Sequence, residues 1–197
     1  MFTGIVRYVG TLRSVEDSIS GLHLRIDCPA AAQRLSADDS ISVAGVCLTV
    51  IGGDEATFDV DVVPETLSRT TLGAAAPGTR LNLEPAATLA TALGGHLVQG
   101  HVDATTELIA RAAAGDGARL TFRLPRELAR YVVAKGFVAI DGVSLSVAAA
   151  AADRFEVALI PHTASHTTFG ALEVGAKVNI EVDVIAKYVE RLLQERG

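Results

Sequence analysis

The pattern of apolar and polar residues along the chain predicts short β-strands. Residues 22–26 and 56–62 alternate apolar and polar side chains, which is the two-residue period of a half-buried strand. Pro64 follows the second of these strands and ends it, because proline cannot donate a backbone hydrogen bond to a neighbouring strand. Residues 40–50 are predicted as two strands folded about Gly45, since glycine permits the positive φ of a tight hairpin.

The rest of the first half fits the same pattern. Residues 2–12 are rich in β-branched side chains and are predicted as a strand that ends near the charged turn at residues 16–18. The other predicted elements are a short helix at 30–35, a turn or short helix at 65–72, a turn at Pro77-Gly78 and a last strand at 80–84. About six short strands with regularly spaced turns are typical of a β-barrel.

A second copy of this unit follows at an offset of 96 or 97 residues. The segment Gly45-Val46-Cys47-Leu48-Thr49-Val50 returns as Gly142-Val143-Ser144-Leu145-Ser146-Val147. Other matched pairs are Gly4 with Gly100, Pro29 with Pro125, Phe58 with Phe155, Pro64 with Pro161, Thr70 with Thr167 and Asn82 with Asn179. Because solenoid repeats are only about 20–50 residues long, this period indicates a duplicated domain. The sequence therefore predicts an all-β protein with two tandem homologous six-stranded barrels.

The end of the chain lies outside the duplicated unit. Ile185, Tyr188, Val189, Leu192 and Leu193 have the i, i+3, i+4, i+7, i+8 spacing of an amphipathic helix. This C-terminal helix packs either against another subunit or across its own barrel, and the pattern alone favours neither. Residues 85–95, between the two halves, are predicted as a helical or irregular linker.

Composition narrows the functional classes. The 197 residues carry a net charge of −6, with 49% hydrophobic and 20% charged residues, which indicates a globular protein without a nucleic-acid surface. No signal peptide and no apolar run of transmembrane length are visible, and the cysteines Cys28 and Cys47 have no metal-binding or disulfide spacing. A cytoplasmic protein that binds neither membrane nor nucleic acid is expected.

Candidate chemistry lies where the two copies differ. Cys47 in the first copy corresponds to Ser144 in the second, and a lone cysteine among apolar residues is more often a buried small side chain than a nucleophile. Ile5 corresponds to His101, which is either a structural histidine or a catalytic base. Asp141 precedes Gly142 as turn residues often do, but it also precedes Ser144 by three positions.

Other polar residues have simpler interpretations. Lys135 before Gly136 is typical of a solvated loop, and Asp183 is placed to introduce the C-terminal helix. His162 and His166 flank Thr163 without a third metal ligand nearby, and no metal motif or glycine-rich phosphate loop is present. No metal is therefore expected. Two similar barrels would offer two similar pockets, which could align two copies of one substrate.

Several segments resemble the riboflavin synthase alpha chain family, whose members contain duplicated lumazine-binding domains. The matching segments are residues 1–6, 45–50, 65–66, 94–103, 135–137, 140–145, 160–163 and 186–191. They occur in order along the whole chain. Ala44 stands where many family members have asparagine, and Ser146 stands where threonine is commoner.

This resemblance implies a fold and a reaction. It implies Greek-key barrels at residues 1–96 and 97–185, and an oligomerisation helix at 186–197. The family members are homotrimers with active sites between the first barrel of one subunit and the second barrel of its neighbour. They dismutate two molecules of 6,7-dimethyl-8-ribityllumazine to riboflavin and 5-amino-6-ribitylaminouracil, without a cofactor. The resemblance also implies lumazine synthase as a candidate partner.

The resemblance also implies site residues. Matching ligand contacts in the first repeat are Gly4, Ile5, Val6, Ser40, Cys47, Leu48, Thr49, Asp61, Val62, Val63, Pro64, Glu65 and Thr66. Those in the second repeat are Gly100, His101, Val102, Lys135, Ser144, Leu145, Ser146, Ala158, Leu159, Ile160, Pro161, His162 and Thr163.

Catalytic roles follow from the acidity of the lumazine 7-methyl group, whose proton a base must remove. The hypothesis is that His101 and Ser144 handle protons and that Asp141 and Asp183 support them. Cys47 is a ligand contact or a nucleophile. The main alternative function is a non-catalytic antenna protein that holds a lumazine or flavin as its chromophore.

Overall fold

The structure is a computed structural model that describes residues 1–194. Two closed six-stranded antiparallel barrels follow one another in the chain, with strand orders β1-β2-β5-β4-β3-β6 and β10-β11-β8-β7-β12-β9. A C-terminal helix follows the second barrel. The predicted fold class is confirmed. Residues 195–197 of the predicted C-terminal segment lie outside the described residues.

Each barrel contains the same elements in the same order. The first barrel contains β1 (Tyr8–Ser18), β2 (Gly21–Asp27), α1 (Pro29–Ala32), β3 (Ser40–Val43), β4 (Val46–Gly53), β5 (Thr57–Val62), α2 (Pro64–Arg69), a 3-10 turn (Thr71–Ala74) and β6 (Arg80–Pro85). The second contains β7 (Ala104–Ala114), β8 (Gly117–Arg123), a 3-10 turn (Arg126–Leu128), β9 (Phe137–Ile140), β10 (Val143–Ala150), β11 (Arg154–Leu159), α3 (Pro161–His166), a 3-10 turn (Thr168–Ala171) and β12 (Lys177–Val182). The C-terminal helix α4 spans Val184–Gln194.

The predicted alternation fills the interior of each barrel. Leu24 on β2 pairs with Val60 on β5, and both side chains are fully buried, while their neighbours point outward. In the second barrel Phe122 on β8 and Phe155 on β11 lie on the corresponding pair of strands and stack with ring centroids 5.5 Å apart. Inward apolar residues at every second position therefore build one core in each barrel.

The first strand differs from the prediction at both ends. β1 begins at Tyr8. Of the residues before it, Arg7 N still donates to the Leu83 carbonyl of the first barrel, whereas Val6 packs on the core of the second barrel. It also continues through the charged residues 16–18, where Glu16 pairs with His23. Charged side chains are tolerated there because this end of the β1–β2 hairpin is largely exposed to solvent. The linker at residues 85–95 is irregular after β6 ends.

Matching hairpins bring the two barrels together. The turn of the β3–β4 hairpin has positive φ at Ala44 (48°) and Gly45 (81°), and the β9–β10 turn repeats this at Asp141 (43°) and Gly142 (77°). Positive φ at both residues is the requirement of a type I′ turn. The two turns touch, since a Cβ on Gly45 would lie 2.7 Å from the Gly142 nitrogen.

Two asparagines connect these turns to the opposite barrel. Asn82 Nδ2 on β6 donates to the Asp141 carbonyl at 3.0 Å, and Asn179 Nδ2 on β12 donates to the Ala44 carbonyl at 2.8 Å. The Asn82 side-chain oxygen accepts the Thr168 N–H, and that of Asn179 accepts the Thr71 N–H. All four hydrogen bonds cross from one barrel to the other, so the barrels are related by a local two-fold arrangement.

The chain segments before each barrel are exchanged. We name residues 2–6 the first strap and residues 98–102 the second strap. The straps pair with each other through Phe2 and Val98. Val6 of the first strap packs on the core of the second barrel, and Val102 of the second strap packs on the core of the first. Each repeat thus contributes a strap to the opposite barrel.

No helix within residues 1–194 combines the length and apolar character needed to span a bilayer.

Replacing Ala44 with asparagine is expected to stabilise the protein. Alanine at φ 48° is strained, whereas asparagine tolerates this conformation, so the free energy of unfolding should rise by about 1 kcal/mol. Urea unfolding monitored by circular dichroism measures the change. Ala90→Asn, at an exposed linker position, is the control and should be neutral. Equal effects of the two substitutions would contradict the assigned strain.

Candidate active site

Two buried glutamates hold the straps in place. Glu84 on β6 accepts hydrogen bonds from Thr3 N (2.8 Å), Thr3 Oγ1 (2.7 Å) and Gly4 N (3.0 Å). Glu181 on β12 accepts from Gln99 N (2.7 Å), Gly100 N (2.8 Å) and His101 N (3.0 Å). Burial raises the pKa of both carboxyl groups, and the hydrogen bonds from the straps oppose that shift.

The strap glycines connect to the opposite barrel. Ser144 N donates to the Gly4 carbonyl, and Cys47 N donates to the Gly100 carbonyl, each at 2.8 Å. Both glycines have positive φ, and a Cβ on either would lie 2.5–2.6 Å from the Cβ of Ser144 or Cys47. Only glycine fits this approach. Each strap therefore forms one wall of a cleft on the opposite barrel.

The first cleft, on the first barrel, consists of two adjoining cavities that share Cys47 and Thr66. One measures ≈ 160 Å³ and is lined by Val46, Cys47, Glu65, Thr66, Arg69, Thr70, Gly100, His101 and Val102. The other measures ≈ 240 Å³ and is lined by Cys47, Leu48, Thr49, Ile51, Asp61, Val63 and Thr66. Many predicted ligand contacts come together here. However, Gly100, His101 and Val102 reach this cleft from the second repeat.

The chemistry of Cys47 favours a contact over a nucleophile. Its side chain is half-buried, and burial raises the pKa of its thiol despite a hydrogen bond from Ser40 that opposes the shift. Little thiolate is present at neutral pH under these conditions, and the thiolate is the nucleophilic form. Ser40 is therefore connected to the first cleft by its hydrogen bond to Cys47.

Asp61 is held at the rim of the first cleft by a neighbouring strand. Its Oδ1 lies 3.0 Å from His23 Nδ1 on β2. Beside them, Arg25 binds both oxygens of Asp59 at 2.7 Å, which lowers the pKa of Asp59. The matching position in the second barrel is Ala158, so only the first cleft has this carboxylate.

The site on the second barrel that corresponds to the first cleft is named the second cleft here, and Ser144 and its neighbour His96 lie at its centre. Ser144 Oγ and His96 Nδ1 lie 2.7 Å apart. The His96 ring is buried, stacks on Phe137 with a centroid separation of 5.3 Å, and has a pKa lowered by that burial. Gly95 covers Ser144 so closely that a Cβ there would lie 2.8 Å from Ser144 Oγ.

Sequence reasoning missed His96. The available signal was its place after Gly94-Gly95, since paired glycines indicate close approach of the backbone to another group. It also missed Glu84, Glu181 and the two interface asparagines, although polar residues repeated inside apolar strands were visible.

The remaining predicted contacts fall into two groups. Leu48, Val62, Leu145 and Leu159 have side chains in the barrel cores, so only their backbone can meet a ligand. The second group consists of residues whose side chains are partly or fully exposed. They are Ile5, Val6, Val63, Pro64, Lys135, Ser146, Ala158, Ile160, Pro161, His162 and Thr163. Ile5 lies beside Gly94, over the second barrel, so it belongs with Ser144 rather than with Cys47.

Asp141 and Asp183 have structural contacts. Asp141 Oδ1 accepts the Asn179 N–H at 2.7 Å, beside an inter-barrel cavity of ≈ 220 Å³, and burial raises its pKa to about 7. Asp183 Oδ1 accepts the Ile185 N–H at 2.9 Å and so caps the start of α4. The charge of Asp183 also acts on the His96 ring.

His101 and Ser144 lie in different clefts of the same chain. His101 lines the first cleft with Cys47, whereas Ser144 belongs to the second cleft with His96. The structure therefore does not unite the two predicted proton-handling residues within one chain.

The fold and these sites together define a class of duplicated β-barrel proteins whose two barrels carry related, chemically unequal sites. Comparison with known proteins also finds a duplicated domain. A family model described as the lumazine binding domain matches residues 3–86 and again residues 99–183.

Relatives of full length are similar to this chain. Riboflavin synthase of Mycobacterium tuberculosis is 47% identical over 100% of both chains. That of Brucella abortus is 41% identical over 98% of both chains, and that of Bacillus subtilis is 38% identical over 99% of this chain and 91% of its own. The chain belongs to the riboflavin synthase family of proteins with paired lumazine-binding domains.

Solved structures share the fold. LumP in complex with riboflavin has a TM-score of 0.85 at 22% identity, covering 92% of this chain and 99% of its own. LumP in complex with 6,7-dimethyl-8-(1'-D-ribityl)lumazine has a TM-score of 0.83 at 21% identity, with the same coverage.

Replacing Gly100 with alanine is expected to displace the second strap. The added Cβ would collide with Cys47, so the free energy of unfolding should fall by about 3 kcal/mol, combining backbone strain with overpacking. Gly115→Ala is the matched control, because Gly115 also has positive φ (58°) but open space around it; its cost should be about 1 kcal/mol. Equal losses in urea unfolding would refute the contact.

Replacing Asp141 with asparagine should change the pH dependence of stability. The native pKa of about 7 exceeds the ordinary value of 3.8, so the folded state binds the proton more tightly and wild-type stability falls as pH rises between these values. Asparagine keeps an acceptor for Asn179 N but cannot ionise. Above pH 7 the variant should exceed the wild type by about 2–4 kcal/mol, with no difference near pH 4. Parallel stability curves would exclude a raised pKa.

Proposed function

We propose that this protein is a riboflavin synthase. It converts two molecules of 6,7-dimethyl-8-ribityllumazine into riboflavin and 5-amino-6-(D-ribitylamino)uracil by transfer of a four-carbon unit. The observation that carries this conclusion is the pair of related clefts with unequal chemistry, in a chain 38–47% identical to riboflavin synthases along its whole length. One substrate that plays two roles needs two such clefts.

Each cleft accommodates one lumazine ring. The exposed backbone of the cleft strands and straps can bind the pyrimidinedione edge, and polar side chains such as Thr49, Asp61 and Thr66 line the place for the ribityl chain in the first cleft. Lys135, Ser146 and His162 are the corresponding exposed polar groups of the second. Alignment of two bound rings removes much of the entropic cost of their reaction.

The reacting rings face each other across two subunits. His101 and Ser144 occupy different clefts of one chain, so a site that contains both draws them from two chains. A heterologous contact of this kind closes into a ring, and three copies give the homotrimer that the family resemblance implies.

The exposed face of α4 supports this assembly. Ile185, Tyr188, Val189, Leu192 and Leu193 are each at least 50% exposed. The opposite face is attached to the second barrel by Glu190, which pairs with Arg130 and Tyr131, and by Lys187, which lies 2.7 Å from Asp103. Polar groups therefore attach the helix to its own barrel. Val189 and Leu193 line an apolar groove of ≈ 590 Å³ with Tyr131 and Val133, and this groove and the exposed stripe are offered to another subunit.

The remaining expectations stay part of this proposal. They are domains at residues 1–96, 97–185 and 186–197, a cytoplasmic location, and lumazine synthase as a candidate partner. The antenna alternative is weaker, because the chain resembles LumP at 21–22% identity, whereas its riboflavin synthase relatives are far more similar. Two chemically unequal clefts also exceed what a single bound chromophore needs.

Incubation of the purified protein with 6,7-dimethyl-8-ribityllumazine tests the function directly. Riboflavin absorbance should appear in the absence of added cofactor. Retention of bound lumazine without turnover would favour the antenna protein instead.

Co-expression of two inactive variants tests the intersubunit site. His101→Ala and Ser144→Ala should each lower turnover at least about 100-fold, as expected for acid–base groups. Mixed oligomers should regain about a quarter of wild-type turnover, because each site draws one residue at random from each kind of chain. Sedimentation should show three copies. Full turnover of both single variants would refute the roles, and failure to regain turnover would refute the shared site.

A further inference from the structure

A histidine that does not line the first cleft holds one of its carboxylates. Asp61 is the only charged residue that lines the ≈ 240 Å³ cavity of this cleft, within the part of the chain that the structure describes. His23 on β2 is its direct cross-strand partner, and His23 Nδ1 lies 3.0 Å from Asp61 Oδ1. The second oxygen, Oδ2, has no hydrogen-bond partner among residues 1–194. It is therefore available to a ligand in the cavity.

Arg25 and Asp59 determine which carboxylate His23 binds. Arg25 donates from Nε and Nη2 to the two oxygens of Asp59, each at 2.7 Å. This bidentate pair occupies both oxygens. His23 Nε2 remains 3.8 Å from Asp59 Oδ1, which is beyond hydrogen-bond distance. The imidazole is therefore hydrogen-bonded to Asp61, and Asp59 contributes only its more distant charge.

The second barrel has the same pair of strands with a different arrangement. Arg119 stands at the position of His23, and its guanidinium donates to Glu156 at 2.9 Å. Thr121 replaces the arginine of the first barrel, so within residues 1–194 Arg119 is the cation that binds Glu156. Ala158 lies opposite Arg119, so this position contributes no carboxylate to the second cleft. The ion pair that reaches a cleft thus belongs to the first barrel.

We propose that His23 is a positioning residue that donates a hydrogen bond from Nδ1 to Asp61 and so orients this carboxylate toward the polyhydroxylated ribityl chain of the ligand in the first cleft. This inference rests on the proposed function. An ionised carboxylate offers only acceptors, so the 3.0 Å contact requires a proton on Nδ1. The imidazole holds Oδ1, and Oδ2 accepts from a ribityl hydroxyl. Because His23 does not line the cavity, it acts through Asp61.

The pair serves binding rather than folding. The side chains of His23 and Asp61 are 27% and 38% exposed, and ion pairs at such positions contribute little to the stability of a protein. A free aspartate must give up rotamer freedom when it binds a hydroxyl, whereas one already held by a neighbouring strand loses less. Orientation by His23 therefore tightens binding of a hydroxylated side chain and leaves the chemistry of the rings unchanged.

Two substitutions of His23 separate the hydrogen bond from the bulk of the ring. His23→Leu removes the donor, so KM for lumazine should rise roughly tenfold while kcat stays within about twofold, as expected when an interaction common to ground state and transition state is lost. His23→Asn keeps an N–H donor near the place of Nδ1, so KM should stay within about threefold of the wild type. An unchanged KM in the leucine variant would overturn the proposal, and so would an equal rise in both variants.

Arg119→Leu is the matched control, because it removes the cation at the corresponding position of the second barrel. Its KM should equal that of the wild type, and a rise as large as that of His23→Leu would refute the proposal by indicating a general effect of charge. A double variant tests the route through Asp61. Adding His23→Leu to Asp61→Asn should raise KM by less than about twofold beyond Asp61→Asn alone. A further tenfold rise would refute the positioning role.

Binding of flavins separates this inference from the proposed function, since it needs no turnover. Riboflavin has a ribityl chain, and lumiflavin has a methyl group in its place. In titrations followed by flavin fluorescence, His23→Leu should weaken riboflavin roughly tenfold at one of the two clefts and leave lumiflavin within about twofold. Equal weakening of both flavins would refute the role of His23. A wild-type protein that binds riboflavin but makes none from lumazine would refute only the proposed function.

A further measurement needs no variant. Nitrogen-15 NMR of the wild-type imidazoles should find a proton on Nδ1 of His23 at neutral pH. A bare Nδ1 would leave the ring unable to donate to Asp61, and it would overturn the inference.

Discussion

The contact between the two hairpin turns is the constraint on which the rest of the molecule depends. The turns approach so closely that glycine is required at positions 45 and 142, and Asn82 and Asn179 bind each turn to the opposite barrel. This contact sets the relative position of β4 and β10. Those strands carry Cys47 and Ser144, and their N–H groups bind the strap carbonyls. The contact between the barrels therefore determines the position of the backbone around Cys47 and Ser144.

Much of the fold could be predicted from the sequence, because alternation and turn residues act over short distances and the repeat shows that the same elements occur twice. The exchange of the straps could not. Residues 2–6 have a strand-like pattern whichever barrel they contact, and sequence spacing says nothing about the choice. For the same reason the sequence groups Gly100 and His101 with Ser144 among the contacts of the second repeat, whereas the structure has them beside Cys47 of the first. His96 was missed because its significance comes from Ser144, 48 residues away.

Duplication supplied the scaffold, and a few substitutions made its copies unequal. The interface asparagines, strap glycines and strap glutamates are the same in both repeats, whereas the groups that face the clefts differ. His101 replaces Ile5, Ser144 replaces Cys47, and Asp61 has only alanine as its counterpart. The residues that maintain geometry thus stayed constant while the residues that meet ligands diverged. This is the pattern expected when one molecule must be both donor and acceptor.

The crossed straps also bear on how such a protein arises. Exchange of an identical segment between two copies is domain swapping, a low-cost route to dimers. Here both copies lie in one chain, so the protein has the form of a swapped dimer whose halves became covalently joined. Neither half can complete its cleft from its own residues. A single repeat cut out of this chain would have to find a second copy of itself to close the gap.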